Sequence, residues 1–202
     1  EEAGLTVDDF TDITYEEYID LGKQVLDATG KPLLSGVRGE ADMIMMMLQS
    51  TGASLFDEEG NPTIDSPEVA KVLEEYAELV ESGVMMETNS WDEYIGSIVN
   101  DQVAGTINGI WIVGSIKTAE DQAGLWEITN LPKLGDVAGA TNYSSNGGSS
   151  WAISSTGNQA LAMDFLASTF AGSVELYDTI LPESGAVANW IPAGTSPAYT
   201  EP

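Results

Sequence analysis

The chain of 202 residues contains no histidine, no cysteine and a single arginine, Arg38. Imidazole and thiolate are the side chains that most often transfer protons or attack substrates near neutral pH, so their absence argues against an enzyme. The lack of cysteine also excludes a disulfide framework and thiolate metal sites, although it leaves the redox compartment open. No apolar run approaches the roughly 20 residues of a membrane-spanning helix. The sequence favours a protein that binds without catalysis.

Positive charge is scarce as well. Thirty-three acidic residues against six basic ones give a net charge of -27, which repels nucleic acid phosphates and anionic lipid headgroups. A phosphate or carboxylate ligand is usually clamped by Arg or by several Lys, and few are available here. We therefore expect a neutral or cationic ligand and no nucleic acid partner. The hydrophobic content of 43% is typical of a globular chain.

Helix-start signals recur along the sequence. Thr14-Tyr15-Glu16-Glu17 and Ser90-Trp91-Asp92-Glu93 each place a hydroxyl residue three positions before Glu, which is the pattern of a capping box. Ser66 followed by Pro67 predicts a further helix with proline in its first turn. We predict helices after Thr14, from Asp42 to Ser50, from Pro67 to Gly83, after Ser90, from Asn158 to Phe170 and from Ser173 to Leu181.

Strand-like segments lie between these helices. We predict short strands within Val103 to Trp111, Trp126 to Leu131 and Trp151 to Ser154. Asp57 to Pro62 is typical of a hairpin turn, Pro132 to Gly148 of a connector, and the chain beyond Pro182 of loops. Helices interleaved with strands indicate an α/β fold.

Two tryptophans follow small polar residues and glycine. A flat indole surrounded by small hydrogen-bond donors suits a ligand that is apolar on one side and hydroxylated at its rim, as a sugar ring is. The two segments are Asn108-Gly109-Ile110-Trp111 and Asn146-Gly147-Gly148-Ser149-Ser150-Trp151. Trp111 is either a ligand contact or a core residue, and Trp151 suits a buried strand equally well. Gly147, Gly148 and Ser149 can offer donors without steric cost.

Other candidates are weaker. Trp190 lies in a predicted loop with polar neighbours, and loops often carry function. Glu40 and Asp42 could grip hydroxyl pairs, or they could be solvated surface with Arg38 paired to one of them. The methionines between positions 43 and 47 are core or an adaptable ligand wall, and Trp91 and Trp126 are assigned to packing. No acidic pattern fits a Ca²⁺ loop, so we predict no metal and no cofactor.

The order of these motifs resembles a known family, the family 1 extracellular solute-binding proteins of ABC importers, of the maltose-binding type. The resemblance covers nearly the whole chain and depends on five phrases that occur in the same order. They are Thr14 to Glu17, Asp57 to Gly60 with Asp65-Ser66-Pro67-Glu68, Ala104 to Trp111, Trp126 to Pro132, and Gly147 to Ser154 followed by Asn158 to Leu166.

The resemblance implies a fold. Members have two α/β lobes of the periplasmic-binding type II class, each with a mixed sheet flanked by helices, and they close by a hinge. Most of the first lobe's opening elements are absent here. By analogy, residues 1–131 form the core of the second lobe, 132–145 cross between lobes, 146–181 belong to the first lobe, and 182–202 return to the second. The missing first lobe is then a partner of this chain, and we expect the chain alone to bind sugar weakly or not at all.

The resemblance also implies a function, which is non-catalytic binding of a neutral mono- or oligosaccharide in an inter-lobe cleft. The sugar would be delivered to the permease subunits of an ABC importer, from a periplasmic or lipid-anchored position outside the cytoplasm. In this family aromatic residues stack on the sugar, which places Trp111 and Trp190 in that role. A glycoside-processing enzyme, which would need a carboxylate pair at a fixed separation, and a glycan-binding surface adhesin are the alternatives.

Overall fold

The computed structural model describes residues 2–185 and 187–200, and the chain divides into two compact units. Unit 1 comprises the residues up to Asn108 together with Ala119–Asn146. Unit 2 comprises Gly109–Thr118 together with the residues from Gly147 onward. Each unit is therefore assembled from two segments, and the chain passes between the units three times.

Unit 1 contains a small parallel sheet with helices packed on it. Its two strands pair in the register Leu34 with Met85 through Val37 with Thr88. The connection from one strand to the other runs through two helices, as parallel pairing requires. In chain order the elements are α1 (Tyr15–Thr29), β1 (Leu34–Val37), α2 (Asp42–Ser50), α3 (Pro67–Glu81), β2 (Met85–Thr88) and α4 (Trp91–Val99).

The predicted helix starts are confirmed at α1 and α4, with one difference in the second cap. The Thr14 hydroxyl accepts from the Glu17 amide at 3.2 Å, and the Glu17 carboxylate accepts from the Thr14 amide at 2.8 Å. At α4 the Ser90 hydroxyl accepts from the Glu93 amide at 3.2 Å. The Glu93 carboxylate, however, accepts from the Asn89 amide at 2.7 Å instead of closing a box on Ser90.

The core of unit 1 lies between the sheet, α1 and α3. Its largest fully buried side chains include Tyr15, Ile19, Leu34, Met47, Leu48 and Leu79. Gly22 of α1 allows this helix to lie directly on the segment that enters β2. A Cβ atom at Gly22 would come within 2.5 Å of a Val84 methyl group. Only glycine fits at this crossing.

An ion cluster joins α1 to α3 at one side of the core. The Lys71 ammonium lies 3.2 Å from the Glu75 carboxylate, 3.5 Å from Glu16 and 3.9 Å from Asp136. Glu75 is 1% exposed, and its Oε1 has no hydrogen-bond partner among the described residues. Burial raises the pKa of the Glu75 carboxyl, and this effect exceeds the lowering by Lys71. The cluster therefore keeps a carboxyl group in a place that disfavours its charge.

The three strands predicted from sequence are wrong. Segments 103–108 and 126–131 and Trp151 to Ser154 are irregular in the structure, and β1 and β2 are the only strands within residues 2–185 and 187–200. A strand needs a ladder of backbone hydrogen bonds. Beside β1, Ala104 donates one such bond to the Pro32 carbonyl, and the described residues provide no ladder for 126–131. The α/β class is confirmed, with a parallel pair in place of the predicted mixed sheet.

Unit 2 contains helices and irregular segments within the described residues. Its helices are α5 (Val113–Ile116), α6 (Gln159–Ser168), α7 (Val174–Ser184), α8 (Ile191–Gly194) and α9 (Pro197–Thr200). The predicted helix that begins after Asn158 is confirmed, whereas α7 continues to Ser184 and contains Pro182. The short helices α8 and α9 occupy part of the segment that was predicted to be loop. None of the α6 residues is buried, and Leu161, Met163 and Phe165 are all exposed.

The connector predicted between lobes is packed within unit 1. Asn142 is buried, and its amide donates to the carbonyl groups of Ile13 at 2.8 Å and Leu131 at 2.9 Å. The Thr141 amide donates to the Ser50 carbonyl at 2.8 Å. The assignment of residues 1–131, 132–145, 146–181 and 182–202 to the lobes of a larger protein stays a prediction. No described helix is both long and apolar enough to cross a bilayer.

Candidate ligand-binding site

An open recess in unit 1 lies where the parallel strands end. Parallel sheets tend to bind ligands at the carboxyl ends of their strands. Here β1 forms the floor, and residues that follow β1 and β2 form the walls. The space measures about 480 Å³ when the solvent at its mouth is counted. The side chains that shape it are Glu40, Asp42, Met43, Met46, Tyr76, Met85, Trp91, Tyr94, Ile107, Asn108 and Asn146.

Two aromatic rings of α4 form one wall of the recess. Trp91 is 40% exposed, whereas Tyr94, one helical turn later, is 3% exposed. Their ring centroids are 5.2 Å apart with an interplanar angle of 40°. The buried tyrosine thus packs against a tryptophan that is partly exposed and lines the recess. The sequence-based assignment of Trp91 to packing is therefore incomplete, because its ring packs against Tyr94 and also lines the recess.

Polar groups in the recess are connected by a chain of hydrogen bonds. The Tyr94 and Thr106 hydroxyl oxygens are 2.6 Å apart. The Asn108 amide donates to the Tyr94 hydroxyl at 2.9 Å, and the Asn146 amide donates to the Asn108 side-chain oxygen at 2.7 Å. This chain brings residues from α4 and from two distant loops to one place. It also fixes the direction in which the two amides point.

Two acidic residues that were predicted as ligand contacts line the same recess. Glu40 and Asp42 are both exposed, and Asp42 is the first residue of α2. Burial raises the pKa of the Tyr94 hydroxyl, and the negative charge of Asp42 adds to this effect. Arg38 does not pair with either acid, because its guanidinium donates to Glu87 at 2.8 Å. No lysine or arginine is among the residues that line the recess.

Methionine side chains complete the apolar part of the recess. Met46 and Met85 are buried, and Met43 is half-buried. A Cβ atom at Gly36 would come within 3.2 Å of the Met85 sulfur, so the β1 backbone and this thioether are in close contact. Within the methionine run, Met46 and Met47 are core residues, and Met43 and Met46 line the recess, while their role as a ligand wall stays a prediction. Flexible thioethers suit a wall that adapts to its ligand.

Other predicted ligand residues lie in unit 2. Trp111 is half-buried in a short 3-10 helix that begins after Gly109. A Cβ atom at Gly147 would lie 3.2 Å from the Trp111 Nε1, which brings these two predicted residues together. Gly147 also has a φ of +126°, a conformation that excludes most other residues.

The remaining predicted ligand residues, Gly148, Ser149, Trp151 and Trp190, do not line the recess of unit 1. Gly148 and Ser149 are exposed, and Trp151 is 66% exposed in an irregular segment, which contradicts a buried strand face. The Trp151 ring packs against Phe170 with centroids 4.9 Å apart. Trp190 is half-buried and directly precedes α8. The structure therefore brings Glu40, Asp42 and Asn108 to one recess and Trp111 and Gly147 to another contact, while their roles in ligand binding stay predictions.

The chemistry that this recess can perform is hydrogen bonding and ring stacking. It offers carboxylates, amides and an aromatic surface, as sites for hydroxylated ligands do. Among the described residues, no cluster of acidic side chains could hold a metal ion. In α/β proteins, a polar and aromatic recess at the carboxyl ends of parallel strands is a usual place for a small-molecule site.

Comparison with known proteins identifies the family. The model of the bacterial extracellular solute-binding proteins matches residues 4–177, so the chain belongs to this family. It is 34% identical over 204 residues to a lactose-binding protein of Rhizobium radiobacter, covering 100% of this chain and 48% of that protein. It is 29% identical over 177 residues to an arabinooligosaccharide-binding protein of Halalkalibacterium halodurans, covering 83% of this chain and 38% of the other. The chain thus spans about half the length, or less, of these relatives.

A solved structure supports the fold. The GacH receptor of Streptomyces glaucescens, determined unliganded and with acarbose, superposes with a TM-score of 0.76 at 15% identity. The match covers 100% of this chain and 51% of the receptor. At this low identity the similarity establishes the fold alone.

Proposed function

We propose that this chain forms part of a receptor that binds a neutral mono- or oligosaccharide and delivers it to the permease subunits of an ABC importer. The observation that carries the proposal is that Trp91 and the amides of Asn108 and Asn146 line one recess. Two relatives that share this sequence pattern are a lactose-binding and an arabinooligosaccharide-binding protein.

The recess suits a sugar because its two kinds of surface match the two kinds on a pyranose ring. The apolar face of the ring can stack on the Trp91 indole, and its hydroxyl groups can pair with amides and carboxylates. Glu40 and Asp42 accept hydrogen bonds from hydroxyl pairs but repel a carboxylate or phosphate. We therefore propose a neutral ligand.

In the complete receptor, the sugar would lie in the cleft between the two lobes that the family resemblance implies. We propose that Trp111, Trp151 and Trp190, with Gly109 and the segment from Gly147 to Ser149, add contacts there. The receptor acts outside the cytoplasm and performs no chemistry on the sugar. A test for catalysis is release of reducing sugar, compared with a Glu40→Gln, Asp42→Asn variant, and turnover above this variant contradicts the proposal.

Calorimetric titration with lactose, arabinotriose and acarbose tests binding, and galacturonic acid serves as the anionic comparison. We expect saturable binding of at least one neutral sugar by the complete receptor that contains this chain, which is the wild type in all the binding tests below. Trp91→Ala should weaken binding at least about tenfold, which corresponds to about 1.4 kcal/mol, because stacking area is lost. Phe56→Ala removes an aromatic ring that is 58% exposed and does not line the recess, so it should leave the Kd unchanged.

These titrations distinguish an error in the proposed function from an error in the assigned binding surface. If none of the neutral sugars binds, the receptor proposal is wrong. If a sugar binds but Trp91→Ala leaves the Kd unchanged while Trp111→Ala weakens it, the unit 1 recess is not the binding surface. Stronger binding of galacturonic acid than of neutral sugars contradicts the neutral ligand.

A further inference from the structure

Tyr94 lies at the centre of the recess although almost none of its surface reaches solvent. Its ring packs against Trp91 with centroids 5.2 Å apart, and its exposed fraction is 3%. Its hydroxyl lies between the Thr106 hydroxyl at 2.6 Å and the Asn108 amide at 2.9 Å. One side chain therefore contacts both the aromatic and the polar part of the recess.

The positions of the protons follow from this arrangement. A tyrosine hydroxyl has one proton and can also accept hydrogen bonds, whereas an amide donates only from nitrogen. Because the Asn108 nitrogen donates to the Tyr94 oxygen, the Tyr94 proton is available for the Thr106 oxygen. The oxygen end of Asn108 accepts from the Asn146 nitrogen at 2.7 Å. Asn108 is thus held at both ends, and its amide cannot rotate without losing two hydrogen bonds.

We propose that Tyr94 is the positioning residue of this recess, whose ring supports Trp91 and whose hydroxyl fixes the amide orientation of Asn108, so that it determines hydrogen bonding to sugar hydroxyls. This inference rests on the proposed function. Tyr94 acts through its neighbours, because burial leaves its own hydroxyl within the protein network. The proposal differs from a general structural role in that it assigns the effect to one hydroxyl group.

Tyr94→Phe separates the two contributions, because phenylalanine keeps the ring under Trp91 and removes the hydroxyl. The Asn108 nitrogen then loses an acceptor, and its amide gains rotational freedom. Loss of a hydrogen bond in a buried network is expected to weaken lactose binding about tenfold. Tyr143→Phe removes the same atom from a side chain that is 71% exposed, and its Kd should stay within about twofold of the wild type, which is far below the effect of one hydrogen bond.

A double-mutant cycle with Asn108→Ala measures the coupling between the two side chains in lactose binding. A general structural role of Tyr94 would not produce this coupling. If Tyr94 acts through Asn108, adding Tyr94→Phe to Asn108→Ala should weaken lactose binding no further. The side-chain amide signals of Asn108 in ¹⁵N NMR give a measurement that needs no ligand. They should be resolved in the wild type and averaged or shifted in Tyr94→Phe.

Equal lactose affinity of Tyr94→Phe and wild type would overturn the inference. So would a Kd of the double variant that is raised by the product of the two single-variant fold-changes. If Tyr94→Phe does not fold, Thr106→Val tests the same chain from its other end, and weaker lactose binding supports the inference while unchanged binding overturns it. If lactose, arabinotriose and acarbose all fail to bind the wild type, the proposed function itself is wrong. If a sugar binds and only the coupling is absent, the function stands and the role of Tyr94 is wrong.

Discussion

Replacement of Gly22 by alanine tests the close approach of α1 to Val84, the residue before β2. The added Cβ would lie 2.5 and 2.8 Å from the two methyl groups of Val84, which is fully buried. Real Cβ atoms do not approach carbon this closely, so either the helix or the valine must move. Both belong to the core between α1 and the sheet, and neither can move into solvent.

The magnitude has two opposing parts. Overpacking a core costs about 1 to 3 kcal/mol, and a contact with both methyl groups of a buried residue belongs at the upper end. Alanine gains about 0.5 to 1 kcal/mol over glycine inside a helix. The free energy of unfolding should therefore fall by about 2 kcal/mol. For a chain of this size that lowers the Tm by about 4 to 8 °C.

Val84→Ala provides the rescue. Alone it deletes two buried methyl groups and should cost about 2 kcal/mol. Combined with Gly22→Ala, the new Cβ occupies the space that the methyl groups leave, so the double variant should be about 2 kcal/mol more stable than additivity predicts. Gly96→Ala in α4 is the matched control, because its Cβ would have its nearest contact at 3.7 Å, and it should be neutral or stabilising.

The assay is urea unfolding followed by circular dichroism, with the Tm from a thermal scan. An unchanged midpoint in Gly22→Ala, or strictly additive effects in the double variant, would show that the close approach of α1 to Val84 does not limit this position. A loss in Gly96→Ala as large as in Gly22→Ala would refute the steric explanation, because both are helical glycines.

Two further predictions concern unit 1. Because burial holds the pKa of Glu75 above its ordinary value of 4.5, its contribution to stability is fully present below that value and is lost as the pH rises through the raised pKa. Glu75→Gln should therefore flatten the fall in urea midpoint from acidic to neutral pH, and an unchanged slope contradicts this. Ser66→Ala removes the hydroxyl that accepts from the Val69 amide at 3.3 Å and should lower the unfolding free energy by about 1 kcal/mol. Thr195→Ala, whose hydroxyl caps no long helix, is its control in the same measurement.

The sequence predicted helices better than strands for a physical reason. The caps at Thr14 and Ser66 are local, because a hydroxyl bonds an amide three residues later, and both appear in the structure. A strand depends on a partner that can be far along the chain. The two strands that form, β1 and β2, are short and pair across about fifty residues, and the three segments with strand-like composition have no such partner among the described residues.

In the site too, local sequence patterns predict some residues, whereas contacts between distant segments are not predicted. Glu40 and Asp42 could be named as candidates because carboxylates at the start of the methionine-rich helix can accept hydrogen bonds from hydroxyl pairs, and both line the recess with Asn108. Trp91 is assigned to packing from its place on the apolar face at a helix start, and that local pattern does not reveal that the ring also lines a recess. The partnership of Tyr94 with Asn108 spans 14 residues and joins a helix to a loop, so no local pattern indicates it.

The exposed helix α6 has a consequence for how this chain behaves in solution. Leu161, Met163 and Phe165 meet water, and Asp164 is the one charged residue among the ten of the helix. Molecules that carry a net charge of -27 repel one another over about 10 Å at 0.1 M salt but over only about 3 Å at 1 M. Colloidal behaviour is then a balance between long-range repulsion and short-range adhesion of these apolar side chains. Added salt shifts that balance toward clustering.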